Sequence, residues 1–506
     1  MLLDNVILGL QTALLPANLM WCFVGVFLGT LIGVIPGVGA LAALTMLFPL
    51  TFHLDPTSAL IMLAGIWYGT TYGGSTAAIL LNVPGTPSSA VACLDGHPMA
   101  KQGRAGVALF MTTIASFIGG SIGIIIMMLF SPAIVEYGLK FGSAEYFALM
   151  LMGLIAASTV SFGSTAKSLV MVAFGILLGC VGLDPYTAIP RFDFGVFELY
   201  DGISLVPLAM GTFGVAEVAA NIGHITPRQF DQSSYSLRSM MPSRDERRRS
   251  RFPILRGTAL GSFFGALPGV GPAVAAFMAY AIEKKIAREP DRFGKGAIEG
   301  VVAPEAANNA ADQTAFIPTM TLGLPGSPSM AIMLGALMIQ GIAPGPTLVG
   351  EHPDLFWGLV MSFWIGNLLL LVINIPMIGL WVRLLTIPYH LLYPSIIIFV
   401  CIGVYSIKLS SVDVWLVMGF GILGFAMRAL EFPAAPLILG FVLGPMMEDH
   451  FRRTMLLSRG EFSIFIERPI SATILALTLA LILIRAWQTL RAGKRTPGEP
   501  VAAGDK

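Results

Sequence analysis

A chain of 506 residues that is 55% hydrophobic and 12% charged, with a mean hydropathy of +0.79, cannot dress an ordinary soluble surface, where about 25% of residues are charged. Thirty basic against 29 acidic residues leave a net charge of +1, which removes the basic excess that nucleic-acid binding requires. The composition defines an all-α polytopic protein of the lipid bilayer.

A spanning helix needs about 20 apolar residues. The first fifteen residues hold no Lys or Arg, so no cleavable signal peptide is expected and the N-terminal apolar stretch stays. The run from Trp21 to Phe52 is cut by Pro36, Gly37 and Gly39, and the run 57–81 leads straight into LLNVPGTPSSA (80–90). Uninterrupted spans are predicted near 105–130, 144–163, 166–183 and 204–223. Residues 226–256 then carry Arg228, Arg238, Arg244, Arg247, Arg248, Arg249, Arg251 and Arg256 against Asp231, Asp245 and Glu246, which makes this loop cytoplasmic by the positive-inside rule. Beyond it, 257–282 is cut by Pro268, Gly269 and Gly271, and 314–343 runs into proline and glycine. Plain spans return near 354–381, 394–407, 412–430 and 469–488, followed by a polar tail expected to be disordered and cytoplasmic. The count is about 10–12 membrane elements, of which about four are discontinuous or re-entrant.

The segment Lys284 to Lys295 is also basic, yet only one apolar stretch separates it from the cytoplasmic loop. A plain span would place it on the far side. A hairpin that dips in, turns at Pro268 to Gly271 and returns keeps both flanks cytoplasmic, with arms of about a dozen residues, or roughly 18 Å.

Two motifs occur twice. GTLIGVIPGVG (29–39) returns as GSFFGALPGVG (261–271), an offset of 261 − 29 = 232, and LLNVPGTPSSA (80–90) returns as TLGLPGSPSMA (321–331), an offset of 321 − 80 = 241. FGILLG (174–179) and FGILG (420–424) are a weaker echo. The expected organisation is membrane repeat 1 over 1–225, a basic inter-repeat loop over 226–256, membrane repeat 2 over 257–488 and a tail over 489–506, with the repeats inverted.

Interrupted helices at matching places in two halves point to a secondary transporter with its site at the repeat interface. Broken backbone survives in a membrane only where it is buried or lines a cavity, and the freed N–H groups at a half-helix N-terminus suit an anion. The candidate substrate-binding residues are Gly37, Gly39, Asn82, Pro84, Gly85, Thr86, Ser88 and Ser89, with Gly269, Gly271, Pro325, Gly326, Ser327 and Ser329. The alternative for each hydroxyl or amide is that it only satisfies the broken backbone. A second polar run, APEAANNAADQTAF (303–316), offers Asn308, Asn309, Asp312 and Thr314 as oxygen ligands for a cation, against the alternative of a solvated amphipathic helix. Cys22, Cys93, Cys180 and Cys401 are widely spaced and read as small core residues. The six histidines show no spacing for a metal triad or a nucleophile–base pair.

Together, GTLIGVIPGVG, YGGSTAAILLNVPGTPSS, CLDGHPMAKQGRAG (93–106), GALPGVGP, EAANNAA and TLGLPGSPSMAIMLGALMIQGIAPGP (321–346) resemble the large membrane subunit of the tripartite tricarboxylate transporters, the TctA family, over about residues 10–450. The resemblance implies a multi-pass carrier of the bacterial inner membrane that works with a small four-helix membrane subunit and a periplasmic solute-binding protein. It imports an organic carboxylate on a Na+ or H+ gradient, uses no cofactor and is not an enzyme. In keeping with that, the chain has no GxxxxGK[ST] loop for a nucleotide. Two departures stand out: Asp312, Gln313 and Thr314 follow EAANNAA where the family has small glycines, and the first half has PGVGA without a proline after the second glycine. An intramembrane enzyme and an ungated channel are the competing readings.

Overall fold

The computed structural model describes residues 2–35, 39–160, 164–221, 240–268, 270–384, 394, 397–398, 400–405 and 409–492. Pro36, Gly37 and Gly269 of the repeated motifs, residues 226–239 of the predicted basic loop, residues 395–396, 399 and 406–407 of the predicted span 394–407 and the expected disordered tail from 493 onward lie outside them. The described residues are predominantly helical, and the strands among them form a two-stranded ribbon, β1 (Gly182–Leu183) paired antiparallel with β2 (Pro190–Arg191).

The N-terminal half opens with α1 (Leu2–Ala13) and α2 (Pro16–Val34), which stops before the first Pro-Gly motif. The chain resumes at α3 (Ala40–Leu47), a short 3₁₀ turn, and α4 (Pro56–Leu81), whose first turn is capped by the Asp55 carboxylate accepting from the Ser58 N–H. Asn82 ends α4 in the left-handed region at φ 59°, which asparagine tolerates better than most residues. Then come α5 (Ala90–Lys101), the long α6 (Ala105–Gly138), α7 (Ser143–Val160), α8 (Thr165–Gly179), the ribbon, and α9 (Leu205–Ala209), which passes through a π turn into α10 (Ala216–Asn221).

The C-terminal half begins with α11 (Arg244–Gly265), a break, α12 (Gly271–Ile286) and α13 (Ile298–Thr314). Next is α14 (Phe316–Leu322), closed by Gly323 at φ 71°, and then α15 (Pro328–Ile339). α16 (Pro346–Glu351), α17 (Pro353–Asn374), α18 (Ile378–Leu384), α19 (Ser411–Ala429), α20 (Ala434–Leu457), α21 (Ile464–Glu467) and α22 (Pro469–Ala492) complete the described chain. Helices α2, α6, α17 and α19 and the Pro469–Trp487 part of α22 are long and apolar enough to cross a membrane. The fold is an all-α polytopic membrane architecture.

Small residues set its tightest crossings. Gly25, Gly29 and Gly33 of α2 lie against the carbonyls of Met62, Ile66 and Thr70 on α4, with no room for a Cβ, and Gly257, Gly261 and Gly265 of α11 lie in the same way against Ala303, Ala307 and Ala311 on α13. The glycines differ by 257 − 25 = 232 and their partners by 303 − 62 = 241. These are the offsets of the two repeated motifs. The helix ends at Asn82 and Gly323 also differ by 323 − 82 = 241.

The α11–α12 pair doubles back. Arg256, just past the middle of α11, donates from Nε to Glu283 Oε2 (3.0 Å) near the end of α12, so the two arms run back alongside each other. Arg249 reaches Glu289 at 3.0 Å, and Arg104 and Glu246 are paired beside them. Single cysteines at Arg248 and Lys285, in a background without the native thiols, are therefore expected to label from the same side of the membrane with an impermeant maleimide; opposite sidedness would rule the hairpin out. Asp184 ties the ribbon to α20. It accepts from the Tyr186 and Thr187 N–H groups (2.9 Å each) and pairs with Arg452. Desolvation acts to raise its pKa, but those two amides and the guanidinium outweigh it and hold the carboxyl well below its usual range.

Candidate functional site

Four breaks in the helices meet on one cavity of about 430 Å³. Gly39 and Ala40 come from the first Pro-Gly motif, Thr86 to Ser88 from the second, Val270 to Pro272 from the third and Gly326 to Ser329 from the fourth. Trp67 and Thr71 of α4 and Pro433 to Pro436 at the start of α20 close the wall. Gly39 caps α3, Ser327 caps α15 through Oγ accepting from the Met330 N–H (3.3 Å), and Pro433 precedes α20. Partly positive helix ends thus border the cavity. None of the described lining residues carries a charge, so the field inside comes from backbone dipoles and hydroxyls. Such a site can hold an anion by N–H and O–H donation without a competing ion pair.

Behind this wall, α4 and α13 cross antiparallel. Tyr68 donates to Gln313 (2.8 Å), Thr71 to Asp312 (3.2 Å) and Ser75 to Glu305 (2.5 Å), so partner numbers fall as α4 is ascended. Thr71 and Asp312 differ by 312 − 71 = 241, the second motif's own offset. Glu305 is fully engaged, with Oε1 on Ser75 and Oε2 on Ser116 (3.1 Å). Asn309 donates to Ser116 (2.7 Å) and to the Glu305 carbonyl (3.0 Å). Tyr72 donates to Asn367, which anchors in turn on Phe117 and Ser121 of α6. Three atoms stand apart from this network: Oδ1 of Asp312 and both polar side-chain atoms of Asn308 are buried and lack a hydrogen-bond partner.

The predicted substrate residues divide by position. Gly39, Thr86, Ser88, Gly271, Gly326, Ser327 and Ser329 line the cavity. Gly85 lies behind the wall, pressed on Gly74 and Gly33. Ser89 is taken up locally, accepting from the Thr86 N–H (3.0 Å) and donating to the Thr86 carbonyl (2.9 Å). Asn82 and Pro84 are exposed at the end of α4, and Pro325 is buried outside the lining. Gly37 and Gly269 lie outside the described residues. Of the predicted cation ligands, Asn308, Asn309 and Asp312 share the buried polar crossing, whereas Thr314 donates back to the Ala310 carbonyl (3.0 Å) and sits against Gly265. The site also takes in Thr71, Trp67 and Pro433 to Pro436, which were not among the predicted ligands. A sequence signal for the last existed: PLAMG (207–211) returns as PLILG (436–440), an offset of 436 − 207 = 229.

Fold and cavity together define a helical membrane protein with a substrate-sized chamber built from broken helices. The model of the tripartite tricarboxylate transporter TctA family matches residues 19–439, and the chain belongs to that family. It is 48% identical over 490 residues to an uncharacterized 52.8 kDa protein of the TAR-I ttuC' 3' region of Agrobacterium vitis, covering 97% of each chain. It is also 50% identical over 231 residues to an uncharacterized protein of the TAR-II ttuC' 3' region of the same organism, covering 46% of this chain and 96% of that one. No solved structure matches it. The family is one of transporters and not of enzymes, which fits the reading from the histidine spacing.

Proposed function

We propose that this chain is the large permease subunit of a binding-protein-dependent secondary transporter of the bacterial inner membrane, importing an organic carboxylate on a Na+ or H+ gradient. A small four-helix membrane subunit and a periplasmic solute-binding protein complete it. The observation that carries this reading is the convergence of all four Pro-Gly breaks on one uncharged cavity bordered by helix N-termini. The carboxylate is held there by backbone N–H groups and by Thr86, Ser88, Ser327 and Ser329. Two inverted repeats of one ancestral unit form the carrier. The common offsets of motifs, glycine rows and helix ends support that, as does the antiparallel crossing of α4 and α13 at equivalent positions. Alternating access moves one repeat-derived unit against the other around the cavity.

The test is uptake of radiolabelled di- and tricarboxylates into proteoliposomes holding both membrane subunits, with the cognate binding protein outside. Uptake is expected to need the binding protein and an inward Na+ or H+ gradient. Flux that ignores both would replace the carrier with a channel, and no flux of any carboxylate that the binding protein holds would remove the reading altogether.

A further inference from the structure

We infer that Asp312, Asn308 and Thr71 form a site for a monovalent hard cation, placed directly behind the carboxylate cavity, with the Thr71 hydroxyl shared between the two. The inference rests on the carrier reading only for its purpose; the site itself rests on geometry.

Asp312 is 0% exposed and Asn308 is 1% exposed, and they stand one helical turn apart on the same face of α13. A buried carboxylate oxygen and a buried amide with no partner are costly to leave unmatched. Every other polar side chain of the crossing described above has a partner, so the unmatched polar atoms are confined to this corner. Oδ1 of Asp312 and Oδ1 of Asn308 are the ligand type a hard cation takes, and Thr71 Oγ1 can add a lone pair while it donates to Asp312 Oδ2. A water carried with the ion accepts the remaining Asn308 N–H.

The charge selects the ion. Glu305 has both oxygens taken by hydroxyls, so Asp312 offers the free carboxylate oxygen, and one carboxylate oxygen with a neutral amide and a hydroxyl is a ligand set poorer in charge than divalent ions take. No group of three or more His, Cys, Asp or Glu able to hold a metal occurs among the described residues, so the site does not resemble that of a divalent or transition metal. A proton on Asp312 would neutralise the carboxylate but leave the Asn308 carbonyl oxygen unmatched. Na+ serves both oxygens.

Thr71 gives the site its link to transport. Its side chain lines the cavity and touches Asp312, so an ion behind the wall fixes the orientation of a hydroxyl in front of it. Cation and carboxylate then favour the same arrangement of α4 against α13, which is what coupling requires.

The full chain in nanodiscs, without carboxylate, is heated in NaCl and in choline chloride at equal ionic strength. Na+ is expected to raise the unfolding midpoint of the wild type, and Asp312→Asn and Asn308→Leu are expected to lose that shift. Thr71→Val, which leaves the carboxylate in place, should weaken the apparent Na+ affinity about tenfold. Asp449→Asn, which removes a carboxylate of α20 that pairs with Arg453 and accepts from the Tyr186 hydroxyl, should respond as the wild type does and shows that loss of a carboxylate is not itself the cause. A wild type that ignores Na+, or responds only to lowered pH, overturns the inference, as does an undiminished Na+ shift in Asp312→Asn. If Asp312→Asn does not fold, the Thr71→Val titration decides. Failure of the carrier reading is distinguishable, because it removes carboxylate uptake and leaves the Na+ shift intact.

Discussion

Gly85→Ala is expected to abolish uptake, whereas Gly326→Ala is expected to keep most of it, although the two glycines are equivalent by the offset of 326 − 85 = 241. A Cβ on Gly85 would lie 2.6 Å from the Gly74 Cα and 2.8 Å from the Gly33 carbonyl oxygen. Both neighbours are backbone, so neither can swing away, and the loop carrying Thr86 and Ser88 must shift. A Cβ on Gly326 would meet the Ala315 Cβ at 3.4 Å and the Gly265 carbonyl oxygen at 3.5 Å, which is close to ordinary contact. Overpacking costs typically about 1–3 kcal/mol, enough to misplace a binding loop without unfolding a helical membrane protein. A bulky residue such as leucine at either position should stop transport. Membrane levels from immunoblots, with initial uptake rates, separate the effects. Wild-type rates in Gly85→Ala would show that the second break is not held by this contact.

The same pair of glycines shows what a sequence can and cannot reveal. Proline and glycine are local signals, so the four breaks, the helix ends at Asn82 and Gly323 and the hairpin turn before Gly271 were all readable from the order of residues. The meeting of the breaks on one cavity was an inference from their repetition. The packing behind them is non-local. Nothing in YGTTYGGSTAA names its partners on α13, and the ligation of Thr71 by Asp312 depends on a crossing angle that no local pattern encodes. The start of α20 was missed for a different reason: no element is predicted between 430 and 469, so PLILG, though present, had no helix to be compared with PLAMG. Thr314 illustrates the converse. A threonine in a polar run looks like a ligand, yet within a helix its hydroxyl can turn back to a carbonyl one turn earlier, and here it does.

Asp95→Ala is expected to cause the largest loss of stability of any single change outside the glycine crossings. Its Oδ1 accepts the N–H groups of Gly294 (2.9 Å), Gly296 (2.8 Å) and Ala297 (2.8 Å), and its Oδ2 accepts from the Tyr280 hydroxyl (3.0 Å). Gly294 and Gly296 have φ of 83° and 98°, the left-handed region open to glycine, and that bend turns three amides toward one oxygen. The carboxylate belongs to α5, in the first half, and caps the start of α13, in the second, so it fastens the helix that carries Asn308 and Asp312. Truncation leaves the three amides and a hydroxyl without this partner, and the two of them at the buried Gly296 and Ala297 positions cost about 1–3 kcal/mol each. That is a large part of the roughly 5–15 kcal/mol that holds a typical domain together. Asp95→Asn keeps one acceptor oxygen for the amides and can offer its NH₂ to the Tyr280 oxygen, so it should lose much less; Tyr280→Phe, which removes one hydrogen bond, should cost about 1 kcal/mol. Thermal midpoints of the purified variants are expected to fall in the order Asp95→Ala, Asp95→Asn, Tyr280→Phe, the first losing most. Protease cleavage between residues 287 and 297 should rise in the same order. Were Asp95→Ala as stable and as resistant as Tyr280→Phe, the two halves would have to be fastened elsewhere, and the Arg104–Glu246 and Gln102–Lys295 contacts beside it would be the next to remove.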